Sequence, residues 1–410
     1  GAGSREMVGS REGVGSREMV GSREGVGSRE GVGSREGVGS RQLVGSREGV
    51  GSRQLVGSRE GVGSSQPAPS GFVRAGRAAR LGFNLMTWLV TGGAGYIGSH
   101  VVRAMVESGY DVVVLDDLSS GHREFVRDTV PFVEGSVLDP AAVDTALTWA
   151  GAAVRGVVHL AGFKYAGESV ERPLHTYEQN VTGTQVLLGR MFEQDVERIV
   201  FSSSAGVYGT PDVDLVTEGT PPTPESPYGE SKLISEWLIR DVARVSALRH
   251  TSLRYFNVVG SGYDDLYDTS PHNLFPVVLR DLTSGRTPHV RGTDYPTPDG
   301  SCVRDYVHVH DVALAHVNAA RALEAGHPLE AVYNLGSGVG LSVLEIMAAV
   351  SRNTGLAFEP ELRSRRAGDP ARIVASGERA ARDLGWAMRF TIDEMVKGAW
   401  RSWVRSGVNT

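Results

Sequence analysis

Residues 87–117 read TWLVTGGAGYIGSHVVRAMVESGYDVVVLDD. An apolar run, TWLV, breaks at a glycine cluster, resumes with helical spacing in VVRAMVESGY, and is followed by a second apolar run, DVVVLDD. That is the pattern of a strand, a glycine turn, a helix and a parallel strand. Gly92, Gly95 and Gly98 form a GxxGxxG pattern, with Tyr96 and Ile97 between the last two. Glycine permits the tight turn and lets a ligand approach the backbone. The helix N-terminus behind it offers N–H groups and a positive dipole to a pyrophosphate. Asp116 lies 18 residues beyond Gly98, at the end of the second strand. A carboxylate there accepts both ribose hydroxyls of NAD and repels a 2′-phosphate, so NAD rather than NADP is expected. Asp117 reads equally as a turn residue or as a second adenosine contact.

Further along the chain, PFVEG, VRGVVHLAG, ERIVFSSS and TSLRYFN repeat the buried-strand signature, separated by helical segments. The alternation predicts an α/β protein: a Rossmann-type doubly wound parallel sheet with a smaller C-terminal α/β substrate domain. The boundaries expected are 86–258 for the dinucleotide domain, with 306–332 returning to it, and 259–305 plus 333–410 for the substrate domain.

The region before Met86 has a different character. Residues 3–62 are ten copies of GSRExV or GSRQLV. One Val per repeat can be read as a stacked β-helix or as low-complexity coil. Coil is the reading taken, because one Val per repeat makes a thin core, and four or five small or charged residues in each do not offset the chain entropy. Residues 1–85 carry thirteen Arg and eight Glu, a charge of +5, so the total of −6 leaves −11 on the rest. The Arg-rich, acid-free stretch 63–85 faintly resembles a transit peptide, while Met86 directly before a strand reads as a protein start. Residues 1–85 are thus expected to be a disordered leader or upstream sequence. An acidic body argues against charge-driven nucleic-acid binding. One cysteine, Cys302, excludes an intramolecular disulfide and a cysteine-rich metal site, and no metal is expected. No run of 18 apolar residues suggests a membrane span, and a cytoplasmic location is expected.

The chemistry concentrates in SPYGESKLISEWL, where Tyr228 and Lys232 stand four residues apart on one helix face. An ammonium beside a phenol favours the phenolate, and a phenol titrating near ~10 needs that help to act as a base. The run FSSSAGVYG, residues 201–209, ends a predicted strand and delivers Ser202, Ser203 and Ser204 to the sheet edge where α/β active sites form. A Ser, a Tyr and a Lys behind a dinucleotide fingerprint make a hydride-transfer set.

On these residues, together with HLAGFKYAGESVERP, NVTGT, LRYFN, GTDYPTPDGSCVRDYVHV and RRAGD, the chain resembles the extended short-chain dehydrogenase/reductase family. Within that family it is most similar to the UDP-glucose 4-epimerase group, from Met86 to about Val404. The resemblance implies Tyr228 as the acid/base for the sugar 4-hydroxyl, Ser204 as its hydrogen-bonding partner, and Lys232 as the residue that holds the nicotinamide ribose and tunes Tyr228. It implies Lys164, Asn180, Tyr255 and Phe256 in the NAD pocket. Asn257, Asn273, Leu274, Arg304, Arg366 and Asp369 match positions that hold a UDP-sugar. The implied reaction is oxidation at C4 by bound NAD, rotation of the 4-keto sugar, and hydride return to the other face. The implied partners are UDP-glucose, UDP-galactose and a second copy of the chain.

Some positions depart from the family. NVVGS replaces the usual NPxGA after LRYF, and Arg291 stands where many relatives place a Phe against the uracil. Arg can stack on the base instead. Ile373 stands where some relatives close the sugar pocket with Tyr, which suggests room for an N-acetyl group. Dehydratase relatives carry Asp–Glu after the active-site Thr, and SSSA stands there in this chain. The rival readings are a nucleotide-sugar dehydratase or reductase, or a silent NAD-binding scaffold.

Overall fold

The computed structural model describes residues 87–151, 154–365 and 369–407. The expectation of a disordered leader falls on residues outside that set. The described chain runs β1 (Thr87–Thr91), α1 (Tyr96–Glu107), β2 (Asp111–Asp116), β3 (Phe132–Glu134), α2 (Pro140–Leu147), β4 (Val154–His159), α3 (Ala166–Glu171) and α4 (Pro173–Tyr177). A π-helical turn, Glu178–Thr182, joins α4 to α5 (Gly183–Glu193). There follow β5 (Arg198–Ser204), α6 (Pro227–Ala243), β6 (Arg249–Tyr255), β7 (Asn257–Val259), α7 (Leu274–Thr283), β8 (His289–Arg291), β9 (Val303–His308) and α8 (Val309–Glu324). The chain closes with β10 (Val332–Leu335), β11 (Gly340–Ser342), α9 (Val343–Thr354), β12 (Glu361–Arg363), β13 (Arg372–Ile373), α10 (Glu378–Leu384) and α11 (Ile392–Ser406).

Seven strands form one sheet in the order β3-β2-β1-β4-β5-β6-β10, every pair parallel. The order reverses direction between β1 and β4, so a crevice opens at the C-terminal ends of those strands. Side chains alternate across the sheet. Trp88, Val90, Val112, Val114 and Tyr333 share one core with residues of α1, α8 and α10. Leu89, Val113, Leu115, Ile199 and Phe201 share another with residues of α2, α5 and α6. Burial on both faces explains why these strands read as continuous apolar runs in the sequence.

A smaller layer holds β7, β11 and β13 around β9, and β8 pairs with β12 in a separate ribbon. Its core joins Val259, Phe275, Tyr306, Ile346 and Trp403. The expected boundaries after 258, 305 and 332 need correction. Each falls inside a strand, β7, β9 and β10 respectively, and β10 belongs to the large sheet. The chain crosses between β6 and β7 and between β9 and α8 with no glycine or proline at the crossing, so composition did not mark those two, whereas the crossing after β10 runs through Gly336 and Gly338, beyond the expected boundary. Among the described residues no helix is long and apolar enough to cross a membrane.

Candidate active site

The glycine turn joins β1 to α1 under tight steric limits. A Cβ on Gly98 would fall 2.0 Å from Gly92 O, whereas one on Gly95 would meet only that oxygen at 3.4 Å. Gly98 therefore lets the helix approach the strand, and the space above Gly95 is open. No side chain caps the first turn of α1, so its N–H groups remain for an anion. Asp116 is buried at the end of β2. Its Oδ2 accepts from Ala94 N at 2.9 Å and its Oδ1 from Leu118 N at 2.9 Å. Burial pushes its carboxyl up and these two N–H groups pull it back. Each oxygen keeps a lone pair, enough to receive two ribose hydroxyls. Asp117 sits in a turn, its Oδ1 accepting from Ser119 N at 3.0 Å and Ser119 Oγ at 2.6 Å, and its exposed side chain is compatible with either reading. The Tyr96 side chain serves the fold, its hydroxyl donating to Gly260 O at 2.6 Å, and Ile97 packs against the core beneath the sheet.

Asn180 sits in the π-helical turn. It donates to Phe163 O at 3.0 Å and Ser231 Oγ at 2.8 Å, and accepts from Phe163 N at 2.6 Å. Both amide donors are thus committed to holding the loop after β4 against α6, which leaves Asn180 one acceptor lone pair for a cofactor. Lys164 lies on that loop, its ammonium 5.5 Å from the centroid of the Tyr165 ring. The surrounding protein pulls its ammonium down, while Asp268 and Asp116 hold it up.

Helix α6 opens on Ser226, whose Oγ accepts from Gly229 N at 3.2 Å, and Pro227 occupies its first turn. A Cβ on Gly229 would fall 2.3 Å from Gly206 O, so only glycine lets α6 approach the turn after β5 this closely. That approach places the Tyr228 ring beside Ser204, both facing the same spot over Gly206. Ser204 Oγ accepts from Gly206 N at 3.0 Å. Lys232 is buried and donates from Nζ to Ser202 O at 3.0 Å, with Nζ 6.0 Å from the Tyr228 ring centroid. One sequence expectation is reversed in direction. Burial pushes the Tyr228 phenol up, and Ser204 only partly pulls it down. Burial also pulls the Lys232 ammonium down to about 8, opposed by Glu236. Local pattern gave the partners of Tyr228 but not the desolvation around it. Tyr255 ends β6 beside this group and shares a short hydrogen bond with Ser202 Oγ, and Phe256 is buried after it.

The residues expected at the sugar end gather on the smaller layer. Asn257 is exposed on β7, which pairs with β9. Arg304 lies on β9 opposite Ile373 of β13. Its Nη1 donates to Pro370 O at 2.7 Å, and its Nη2 stands 3.7 Å from Asp369 Oδ1. Ile373 packs with Ala205 against Val207, Tyr208 and Phe256, on the apolar side of the Ser204 turn. Asn273 caps α7 ahead of Leu274, and its Nδ2 donates to Asp268 Oδ2 at 2.8 Å. Arg291 is exposed on β8, opposite Arg363 of β12. Arg366 lies outside the described residues. Sequence reasoning missed Asp268, which holds Asn273, and Asp305, which accepts from Ser337 N and Ala375 N to fix the chain after Ile373. The available signal for Asp305 was a charged pair, Arg304 and Asp305, inside a strand.

The sequence signature of the NAD dependent epimerase/dehydratase family matches residues 88–336. The UDP-glucose 4-epimerase of Halalkalibacterium halodurans is 41% identical over 321 residues, covering 77% of this chain and 95% of that one. The crystal structure of the Brucella ovis UDP-glucose 4-epimerase in complex with NAD superposes with a TM-score of 0.73 at 39% identity, covering 77% of this chain and 97% of that one. The Bifidobacterium longum UDP-glucose 4-epimerase in complex with NAD+ and UDP gives 0.71 at 36% identity, over 78% and 98%. The parallel sheet, the glycine turn and the Ser–Tyr–Lys group lie within the matched span, and the chain belongs to the NAD dependent epimerase/dehydratase family.

Proposed function

We propose that this chain interconverts UDP-glucose and UDP-galactose with tightly bound NAD. The observation that carries the reading is the assembly of Ser204, Tyr228 and Lys232 at the C-terminal edge of a sheet whose glycine turn fits a dinucleotide. The Halalkalibacterium, Brucella and Bifidobacterium relatives support it.

In this reading the first turn of α1 and Gly92, Gly95 and Gly98 receive the pyrophosphate, and Asp116 the adenosine ribose. Lys164, Asn180, Tyr255 and Phe256 line the pocket toward the nicotinamide. NAD, held by these residues, would supply the acceptor for the hydride that leaves the sugar C4 and would return it. Tyr228 takes the proton of the sugar 4-hydroxyl and later returns it. Ser204 donates to that sugar oxygen and keeps it against the phenol. Lys232, held by the Ser202 carbonyl, keeps a cation near the phenolate, which opposes the effect of burial. Asn257, Asn273, Leu274, Arg304, Arg366 and Asp369 hold the UDP-sugar, with the arginines matching phosphate oxygens in a fork. Arg291 stacks on the uracil. Holding the nucleotide firmly and the sugar loosely allows the 4-keto sugar to turn its other face. A homodimer completes the proposal. Leu174 of α4 is 83% exposed, and Trp237 of α6 is 45% exposed, on helices that pack together and offer apolar surface to a second copy.

The test is chromatography of products from UDP-galactose with the purified chain and no added reductant. UDP-glucose is expected, and Tyr228→Phe should fold normally yet lose roughly 10²–10⁴-fold in rate. Net NADH production or loss of water would identify a reductase or dehydratase instead, and a Phe variant keeping over about half the rate would remove Tyr228 from its role.

A further inference from the structure

Three residues of α6, spaced four apart, stand against three successive serines of β5. Lys232 Nζ donates to the Ser202 carbonyl, Glu236 Oε1 accepts from Ser203 Oγ, and Tyr228 stands beside Ser204. Glu236 and Arg254 are both buried, at 7% and 5% exposure. Arg254 of β6 grips the carboxylate as a fork, Nε to Oε1 at 2.8 Å and Nη2 to Oε2 at 2.5 Å. Its Nη1 donates to Tyr208 Oη at 2.9 Å, and that hydroxyl donates to Asn334 Oδ1 of β10 at 2.7 Å. The network therefore crosses α6, β5, β6, the turn after β5 and β10.

A buried ion pair of this kind seldom adds stability over apolar packing, so its place in the fold calls for another explanation. Glu236 follows Lys232 by one helical turn, on the same face. We infer that Glu236 is a positioning residue for the reaction: it clamps β5 to α6 so that Ser204, Tyr228 and Lys232 stay in register. Its charge also opposes the burial that pulls the Lys232 ammonium down. The inference rests on the epimerase reading above. Arg254 fixes the rotamer of Glu236 and balances its second oxygen. The other titratable groups that face Lys232 are Tyr228 on its own helix and His159 from β4. His159 is held neutral by burial at about 3, so Glu236 is the anion in the group.

The experiment compares kcat, KM and the pH profile of wild type and Glu236→Gln holoenzyme on UDP-galactose. Without the carboxylate, the Lys232 ammonium loses its proton at lower pH, so the alkaline limb of kcat should move down by about one pH unit. At neutral pH kcat should fall roughly ten-fold, with KM within about two-fold. A purely structural role would lower melting temperature and NAD content and leave the limb in place, and that result overturns the inference. Should the Gln variant fail to fold, Ser203→Ala removes the clamp without leaving a buried charge unpaired. It should cut kcat several-fold at unchanged KM, and wild-type kcat in that variant overturns the inference. A wild type that does not convert UDP-galactose would refute the function and the inference together, before any variant is made.

Discussion

Substituting Gly98 by Ala should destabilise the protein, although Ala is the better helix former. The helix preference favours Ala by about 1 kcal/mol. Against it, the new Cβ would stand 2.0 Å from Gly92 O, 2.9 Å from Gly92 C and 3.0 Å from Gly93 Cα. All three are backbone atoms, so no side-chain rotation relieves the overlap, and ordinary contact with that oxygen begins near 3.4 Å. Helix α1 must move off β1 by about 1.4 Å to restore that contact, which opens the contacts of Val101, Val102 and Met105 with the sheet. Overpacking costs ~1–3 kcal/mol, and contacts that are all backbone put this one at the upper end, so after the helix preference is subtracted a net loss of about 2 kcal/mol and a fall of a few degrees in Tm are expected. NAD affinity should fall with it, because the shift misdirects the first-turn N–H groups. Gly95→Ala provides the contrast. Its Cβ meets protein only at 3.4 Å, so Tm should hold while NAD binding weakens, since the methyl occupies the space above the turn. Thermal unfolding and NAD titration of both variants check this. A Gly98→Ala protein as stable as wild type, or a destabilised Gly95→Ala protein, would refute the reasoning.

Three other outcomes are expected. Ile373→Tyr should selectively reduce turnover of UDP-N-acetylglucosamine relative to UDP-glucose, because the larger ring narrows the wall beside Ala205 and Phe256; equal loss on both sugars, or no wild-type activity on the acetylated one, would contradict this. Burial holds His100, His159 and His308 at about 3 and His316 at about 4. Below pH ~6.5 the unfolded chain binds protons these sites refuse, so stability should fall by up to roughly 1.4 kcal/mol per histidine per pH unit. A urea midpoint that stays flat from pH 7 to 5 would show that these groups do protonate in the fold. Removal of residues 1–85 should leave activity and Tm unchanged, because the α/β pattern begins at Met86, and a Tm lowered by several degrees would mean that the leader packs on the body.

The sheet was legible because each strand is a local apolar run and each glycine turn is a local motif. The pairing of Tyr228 with Lys232 was legible for the same reason, since a helix brings residues four apart together. The rest of the site depends on contacts between distant segments. Glu236 and Arg254 meet across 18 residues and Arg254 and Tyr208 across 46, with nothing in either neighbourhood to announce it. The resemblance placed Asn180 in the cofactor pocket, but its commitment to Phe163 and Ser231 follows from a π-helical turn that no periodicity marks. Tyr228 shows a further limit. Sequence supplies the neighbouring charge, whereas the direction of its shift is decided by how much protein surrounds the phenol.

The most direct test of the account follows the hydrogen at C4 itself. UDP-galactose carrying deuterium at C4 is incubated in ordinary water with the purified chain, and the UDP-glucose formed is analysed by mass spectrometry and proton NMR. The account predicts full retention of the label at C4 with inverted configuration, because the same hydrogen leaves and returns while Tyr228 handles only the O4 proton. Exchange of the C4 label with solvent, or recovery of unchanged UDP-galactose, would contradict it.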